Sequence, residues 1–185
     1  MRENEKAVQI TKKWIEAFVL GLNLCPFARH PYKYDKIRYV VFEGDNLEAL
    51  CDMLKKEMEL LDETTPAILE TTVIIANTGF SDFENYLSAL FDADALLEEL
   101  DYEGVYQIAS FHPDYKFEGT DSTDVTNYTN RSPFPMFHLL REDSITRSLD
   151  AFPEVGDILN QNQETMNKLG LTKVKKMLDD VQRTP

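Results

Sequence analysis

Two periodicities alternate along this chain, and that alternation limits its fold more than any other feature. Ile37 to Phe42 (IRYVVF), Thr71 to Ala76 (TTVIIA) and Val105 to Phe111 (VYQIASF) are short β-branched and aromatic runs, the composition of strands. Ahead of the first run, Ile10, Trp14, Ala17, Phe18, Gly21 and Leu22 recur three or four apart, giving one apolar helical face. Between the first and second runs, Leu47, Leu50, Cys51, Leu54, Met58 and Leu61 form a second stripe, opened by a capping box of Asp45 and Glu48. A third helix, capped by Ser81, carries Phe83, Leu87, Leu90, Leu97 and Leu100. The order α-β-α-β-α-β predicts an α/β (or α+β) fold: a sheet of three or more strands with βαβ crossovers and helices packed on it. A ferredoxin-like arrangement with antiparallel pairs is the rival. At 185 residues, with no linker or repeat, the expectation is one domain over 1–185.

The third run is followed by about twenty residues, Phe111 to Pro133, with no helical or strand period. Structureless connections beyond roughly 12–15 residues are uncommon in compact domains and usually serve a function or are disordered. Phe111, Tyr115, Phe117 and Tyr128 would pack this one down, so a functional loop or a purely structural Ω-loop is expected. Beyond it a helix is predicted from near Pro133, with Pro135 at a first helical position and His138, Arg141 and Glu142 on one stripe. Asp157 to Leu169 reads as a further helix with Leu159, Met166 and Leu169 inward and Gly170 as its stop. Thr172 then caps a last one bearing Met177, Leu178 and Val181, and the final few residues are expected to fray.

The chemistry-bearing residues concentrate in Ala109 to Glu142. His112 ends the third strand with Asp114 two residues on. If His112 faced His138, the pair would serve as acid and base or as metal ligands, and structural hydrogen bonding is the plainer alternative. His112, Asp114, His138 and Glu142 lack the spacing of a metal motif, so no metal site is assigned. Arg131 and Arg141 suit an anion, because guanidinium bonds carboxylate or phosphate in matched pairs; an internal salt bridge to Asp114 or Glu142 is the alternative. Asn127 and Asn130 add polar groups. Cys25 follows the first helix, where the helix C-terminus opposes a thiolate unless Arg29, His30 or a distant histidine reverses it. It reads as catalytic thiol, buried hydrophobe or metal ligand. Cys51 reads as core. No GxGxxG, P-loop, HExxH or GxSxG occurs.

Three blocks together resemble one family: Gly21 to Ala28 (GLNLCPFA), Gln107 to Tyr115 (QIASFHPDY), and Asn127 to Met136 (NYTNRSPFPM) with His138 to Glu142 (HLLRE). They are similar to the bacterial family known as domain of unknown function 1415, from Trp14 to about Ser148. The resemblance implies positions rather than a reaction: Cys25, His112, Asp114, Asn127, Asn130, Arg131, His138, Arg141 and Glu142.

A net charge of -14 repels phosphate backbones and leaves no basic footprint, so no nucleic-acid partner is expected. No run of about 18 apolar residues occurs, so no membrane partner is expected either. Two cysteines in unlike contexts and a charged start without a signal-peptide pattern point to the cytoplasm. The functional expectation is an enzyme acting on a small anionic or polar molecule. Catalysis would fall to His112, His138, Cys25 and Asp114, and binding to Arg131, Arg141, Asn127, Asn130 and Glu142. A metal-binding protein and a non-catalytic interaction module are the alternatives, and no cofactor is indicated.

Overall fold

A computed structural model describes residues 2–151 and 157–183. A mixed four-stranded sheet stands between two helical layers. The strands are β1 (Ile37–Phe42), β2 (Thr71–Ala76), β3 (Tyr106–Phe111) and β4 (Met136–Arg141), in spatial order β1-β2-β4-β3. β1 and β2 are parallel, and β4 runs antiparallel to both β2 and β3. The three runs read from the sequence therefore share one direction, with a fourth strand inserted among them. This is an α/β architecture, as expected.

The first face of the sheet carries α3 (Leu47–Glu63) and α4 (Phe83–Glu99). Leu50, Leu54, Met58 and Leu61 on α3 are fully buried, each contributing roughly 1.5–3 kcal/mol of transfer free energy. They pack with Phe42, Ile74, Phe137 and Leu139 from the strands. The caps fall one residue later than expected. The Asn46 side chain accepts from the Ala49 amide (3.0 Å), and that of Asp82 accepts from the Asn85 amide (2.9 Å). Both residues have extended backbone and their side-chain oxygens reach the third helical amide, the arrangement that satisfies an orphan donor. Leu87 faces outward on α4.

The second face carries α1 (Glu3–Trp14), α6 (Ile158–Leu169) and α7 (Leu171–Arg183). Ile10, Trp14 and Phe18 meet Val73, Ile75 and Met136 there, and Met166, Val174, Leu178 and Val181 close the layer. Gly170, at φ 76°, supplies the stop between α6 and α7. Leu159 is 66% exposed rather than inward, because the buried stripe of α6 runs through Met166 instead. The expected fraying of the last residues concerns 184–185, outside the described residues.

The largest correction concerns 133–142. The predicted helix is β4, followed at once by α5 (Glu142–Ala151). β4 lies between β2 and β3 and packs both of its faces, so Met136-Phe137-His138-Leu139-Leu140 is a near-continuous apolar run. Such a run has no alternation that separates a buried strand from a buried helix. As a strand it sends His138 and Arg141 to opposite faces, where a helix would have kept them together.

Candidate functional site

His112 and His138 lie on opposite sides of the sheet. The His112 ring packs between Phe83 and Tyr86 of α4, with centroids 5.1 and 5.0 Å away. Its Nδ1 accepts from the Asp114 amide (3.0 Å), so Nε2 carries the proton and donates to the Phe80 carbonyl (3.0 Å). Both nitrogens are occupied, and burial pushes the imidazole below its ordinary proton affinity. His112 thus fastens the start of the loop to the turn before α4, while the Asp114 side chain stands in solvent.

The other polar residues of the loop hold the loop. The Asn127 carboxamide accepts from the Phe117 amide (3.0 Å) and the Thr120 hydroxyl (2.9 Å), and donates to the Asp121 carbonyl (2.9 Å). Asn130 donates to the Ser110 carbonyl (3.1 Å). Arg131 donates to the carbonyls of Tyr115 (3.1 Å) and Ser122 (2.9 Å) and lies over the Tyr128 ring. Arg141, at the end of β4, donates to the carbonyls of Leu61, Thr64 (2.7 Å) and Leu69 (3.4 Å) around the end of α3, and it lines the same cavity as His138. Neither guanidinium binds Asp114 or Glu142, so the expected internal salt bridges do not form and carbonyl oxygens take their place. His112 and Arg131 are thus spent inside the framework, whereas His138 and Arg141 both line one cavity. Glu142 opens α5 beside a separate acidic groove with Asp94, Glu98 and Glu103. Tyr128 is buried, and Phe111, Tyr115 and Phe117 are half-buried, so the aromatic loop offers few rings for docking.

His138 is different. It lines a cavity of about 470 Å³ whose walls also include Cys25, Phe27, Pro31, Ile37, Thr71, Leu140 and Ile145. That volume falls within the range of ligand sites, and the walls are mainly apolar with a few polar groups, the usual make-up of such a site. The cavity sits where β1 and β2 begin and β4 ends, closed by α5 on one side and the Cys25–Pro31 segment on the other.

Local structure explains how Cys25 arrives there. After Trp14 the first helix continues as a wider turn over Ile15–Leu20, with the Gly21 amide bonded to the Glu16 carbonyl (2.9 Å). Asn23 at φ 54° turns the chain, and the Leu24 carbonyl accepts from the Asn162 side chain (2.9 Å). Cys25 is then extended (φ -136°), and Pro26 opens a short 3-10 turn, Pro26–Ala28, that runs into α2 (Arg29–Lys33). The thiol therefore precedes a helical segment as well as following one. The amides of Phe27 and Ala28 favour the thiolate, but burial outweighs them and keeps the thiol pKa raised.

One bond fixes the protonation of His138. The Thr71 hydroxyl donates to the Leu139 carbonyl and lies 2.7 Å from His138 Nε2. Having given its single proton to a carbonyl, the hydroxyl accepts from Nε2–H, so the neutral ring carries its proton on Nε2. Nδ1 is left with a lone pair and no partner among the described residues. Burial lowers the His138 pKa to about 4, so this tautomer holds at neutral pH.

Glu70, Arg141, Arg147, His30, Ser144 and Ser148 also line the cavity. Sequence reasoning did not single out Thr71, Glu70 or Arg147. A polar pair at the head of an otherwise apolar strand, Thr71-Thr72, was the one available signal, whereas Glu70 and Arg147 had none. Among the described residues, no group of three or more His, Cys, Asp and Glu side chains is arranged to hold a metal ion, and no helix is long and apolar enough to cross a membrane.

Fold and site define the class: a layered α/β protein with a thiol and an imidazole opening onto one cavity. The chain belongs to the family described as Protein of unknown function (DUF1415), which matches residues 6–176. No curated protein and no solved structure matches it.

Proposed function

We propose that this protein is an enzyme in which Cys25 attacks the acyl carbonyl of a small molecule seated in the cavity, with His138 carrying the proton. One observation supports this above all: a thiol and an imidazole with an unpartnered nitrogen, far apart in sequence, line the same open cavity. At rest both groups are uncharged. As Cys25 Sγ bonds to the carbonyl carbon, its proton passes to His138 Nδ1. The bond to the leaving group breaks, and that group takes the proton from Nδ1. A water then attacks the thioester, giving a proton to Nδ1 that returns to sulfur as the carbon–sulfur bond breaks. The products are a carboxylic acid and the free thiol. A base with a pKa of about 4 is weak, which favours esters and thioesters over the less reactive amides. Two unpaired cysteines fit a reducing compartment, so the cytoplasm is the proposed location.

The test is a panel of short acyl esters and thioesters, read by turnover and by mass spectrometry of the acylated protein. The acyl group should reside on Cys25. Cys25→Ala should abolish turnover, His138→Ala should lower it about a hundredfold or more, and Cys51→Ala should retain it. Turnover that survives Cys25→Ala, or an acyl group shared equally with Cys51, would overturn the reading.

A further inference from the structure

Strand register shows which side chains reach the cavity from the sheet. Ile37 pairs with Thr71 and Thr71 with Leu140, so these side chains share one face with His138, two residues before Leu140. Further along that face Val73, Ile75 and Met136 are buried beneath the layer of α1, α6 and α7. At the cavity end that cover thins: Ile37 and Leu140 are only half-buried and line the open space. Phe27, Pro31 and Ile145 continue the apolar lining from the two flanking segments. Apolar surface of this kind gains free energy when an apolar group displaces its water. The charged lining residues offer no matched site for an ionic end group. The Arg141 guanidinium is taken up by carbonyls, Arg147 and His30 are exposed to solvent, and Glu70 has the opposite sign.

We infer that the cavity selects an apolar acyl chain of medium length, so the substrate class is the esters or thioesters of such acids. The inference rests on the catalytic reading for the bond that is cleaved, while recognition of the chain is measurable by itself. A cavity of about 150 Å³ admits benzene, so one of about 470 Å³ has room for roughly eight carbons and an ester head. Short acyl groups reach the thiol but leave Ile37, Leu140 and Ile145 wet. Longer ones cover them, and each methylene so buried tightens binding by up to about fourfold.

The experiment is calorimetric titration of the full chain with butanamide, hexanamide and octanamide, neutral acyl mimics that lack a reactive ester. Affinity should rise about two- to fourfold per added carbon. Ile145→Trp, which narrows the space from α5, should weaken octanamide binding about tenfold. Ile37→Thr keeps a β-branched residue in the strand but sets a hydroxyl on the lining, and should lower the gain per carbon. Leu159→Ala, exposed on α6, should leave the series unchanged, and thermal unfolding shows that each variant is folded. Equal affinity across the series, or a series unaltered by both isoleucine substitutions, overturns the inference. Acyl trapping on Cys25 would then stand by itself. In turnover, octanoyl thioesters should exceed acetyl thioesters in kcat/KM by about tenfold or more, and the reverse order also overturns it. A rising amide series without acyl trapping leaves the chain assignment standing and sinks the catalytic reading.

Discussion

Thr71 has a single hydroxyl proton and two polar neighbours. Because that proton goes to the Leu139 carbonyl, the hydroxyl reads His138 as a donor and leaves Nδ1 facing the cavity. The same burial has a consequence for stability. His138 and His112 both have pKa values below their ordinary 6.5 in the folded state, through burial. The unfolded chain therefore binds more protons than the folded one below about pH 6.5, and stability falls as pH drops through that window. For His138 the loss is complete near pH 4 and is at most about 3 kcal/mol. Denaturant unfolding at pH 7.5 and 5 should show a smaller loss in His138→Gln than in the native protein. An equal loss would mean that the ring titrates normally. Arg141 makes the complementary case. It was read from sequence as an anion holder, but its guanidinium closes the carbonyls around the end of α3. Arg141→Met should thus destabilise the fold by about 2–3 kcal/mol, leaving buried carbonyls unpaired. A neutral result in thermal unfolding would contradict that role.

At the scale of elements, β4 decides what the sequence allowed one to read. β1 and β2 fall on the expected bounds because each is a β-branched run with charged or turn residues at its ends. The stripe of α3 was legible for the same reason, the match of apolar spacing to helical period, whereas α4 buries Tyr86, Ala89, Ala93, Leu96 and Leu97, of which only Leu97 belonged to the expected stripe. β4 was not, since a strand buried on both faces shows no period of two, and His138 with Glu142 mimics a helical pair. That misreading concerns the route and not the place: the strand alternates the His138 and Arg141 side chains, yet both residues line the cavity. Cys25 and His138 were both visible as reactive types, but only the parallel entry of β1 and β2 beside the exit of β4 brings them to one space, and no local pattern encodes that. Substitution should expose the contrast between inner and outer elements. Phe137→Ala, in the fully buried middle of β4, should cost about 3–5 kcal/mol, whereas Leu159→Ala on the open side of α6 should stay within about 0.5 kcal/mol. Equilibrium unfolding in urea measures both, and similar values would refute the placement of β4 at the centre.

At the scale of the whole molecule, the loop expected to hold the site acts as a brace at the other end of β4, and none of its residues lines the cavity. Asn127, Asn130 and Arg131 knit the stretch after β3 to itself, and the Trp14 indole donates to the Arg131 carbonyl (3.0 Å), tying the brace to the first helix. The cavity is built instead from chain entering early and chain leaving late, with α5 as its lid-side wall. The insertion of β4 between β2 and β3 then governs assembly. While the polypeptide is being synthesised, β1, β2 and β3 emerge before the strand that joins the last of them to the rest. Until residues 136–141 dock, β2 and β3 each expose an open edge, and the imidazole that completes the cavity has not yet arrived. The site is thus a property of the finished fold alone: a nascent chain stopped short of β4 would carry the thiol without its partner, and would be sticky rather than reactive.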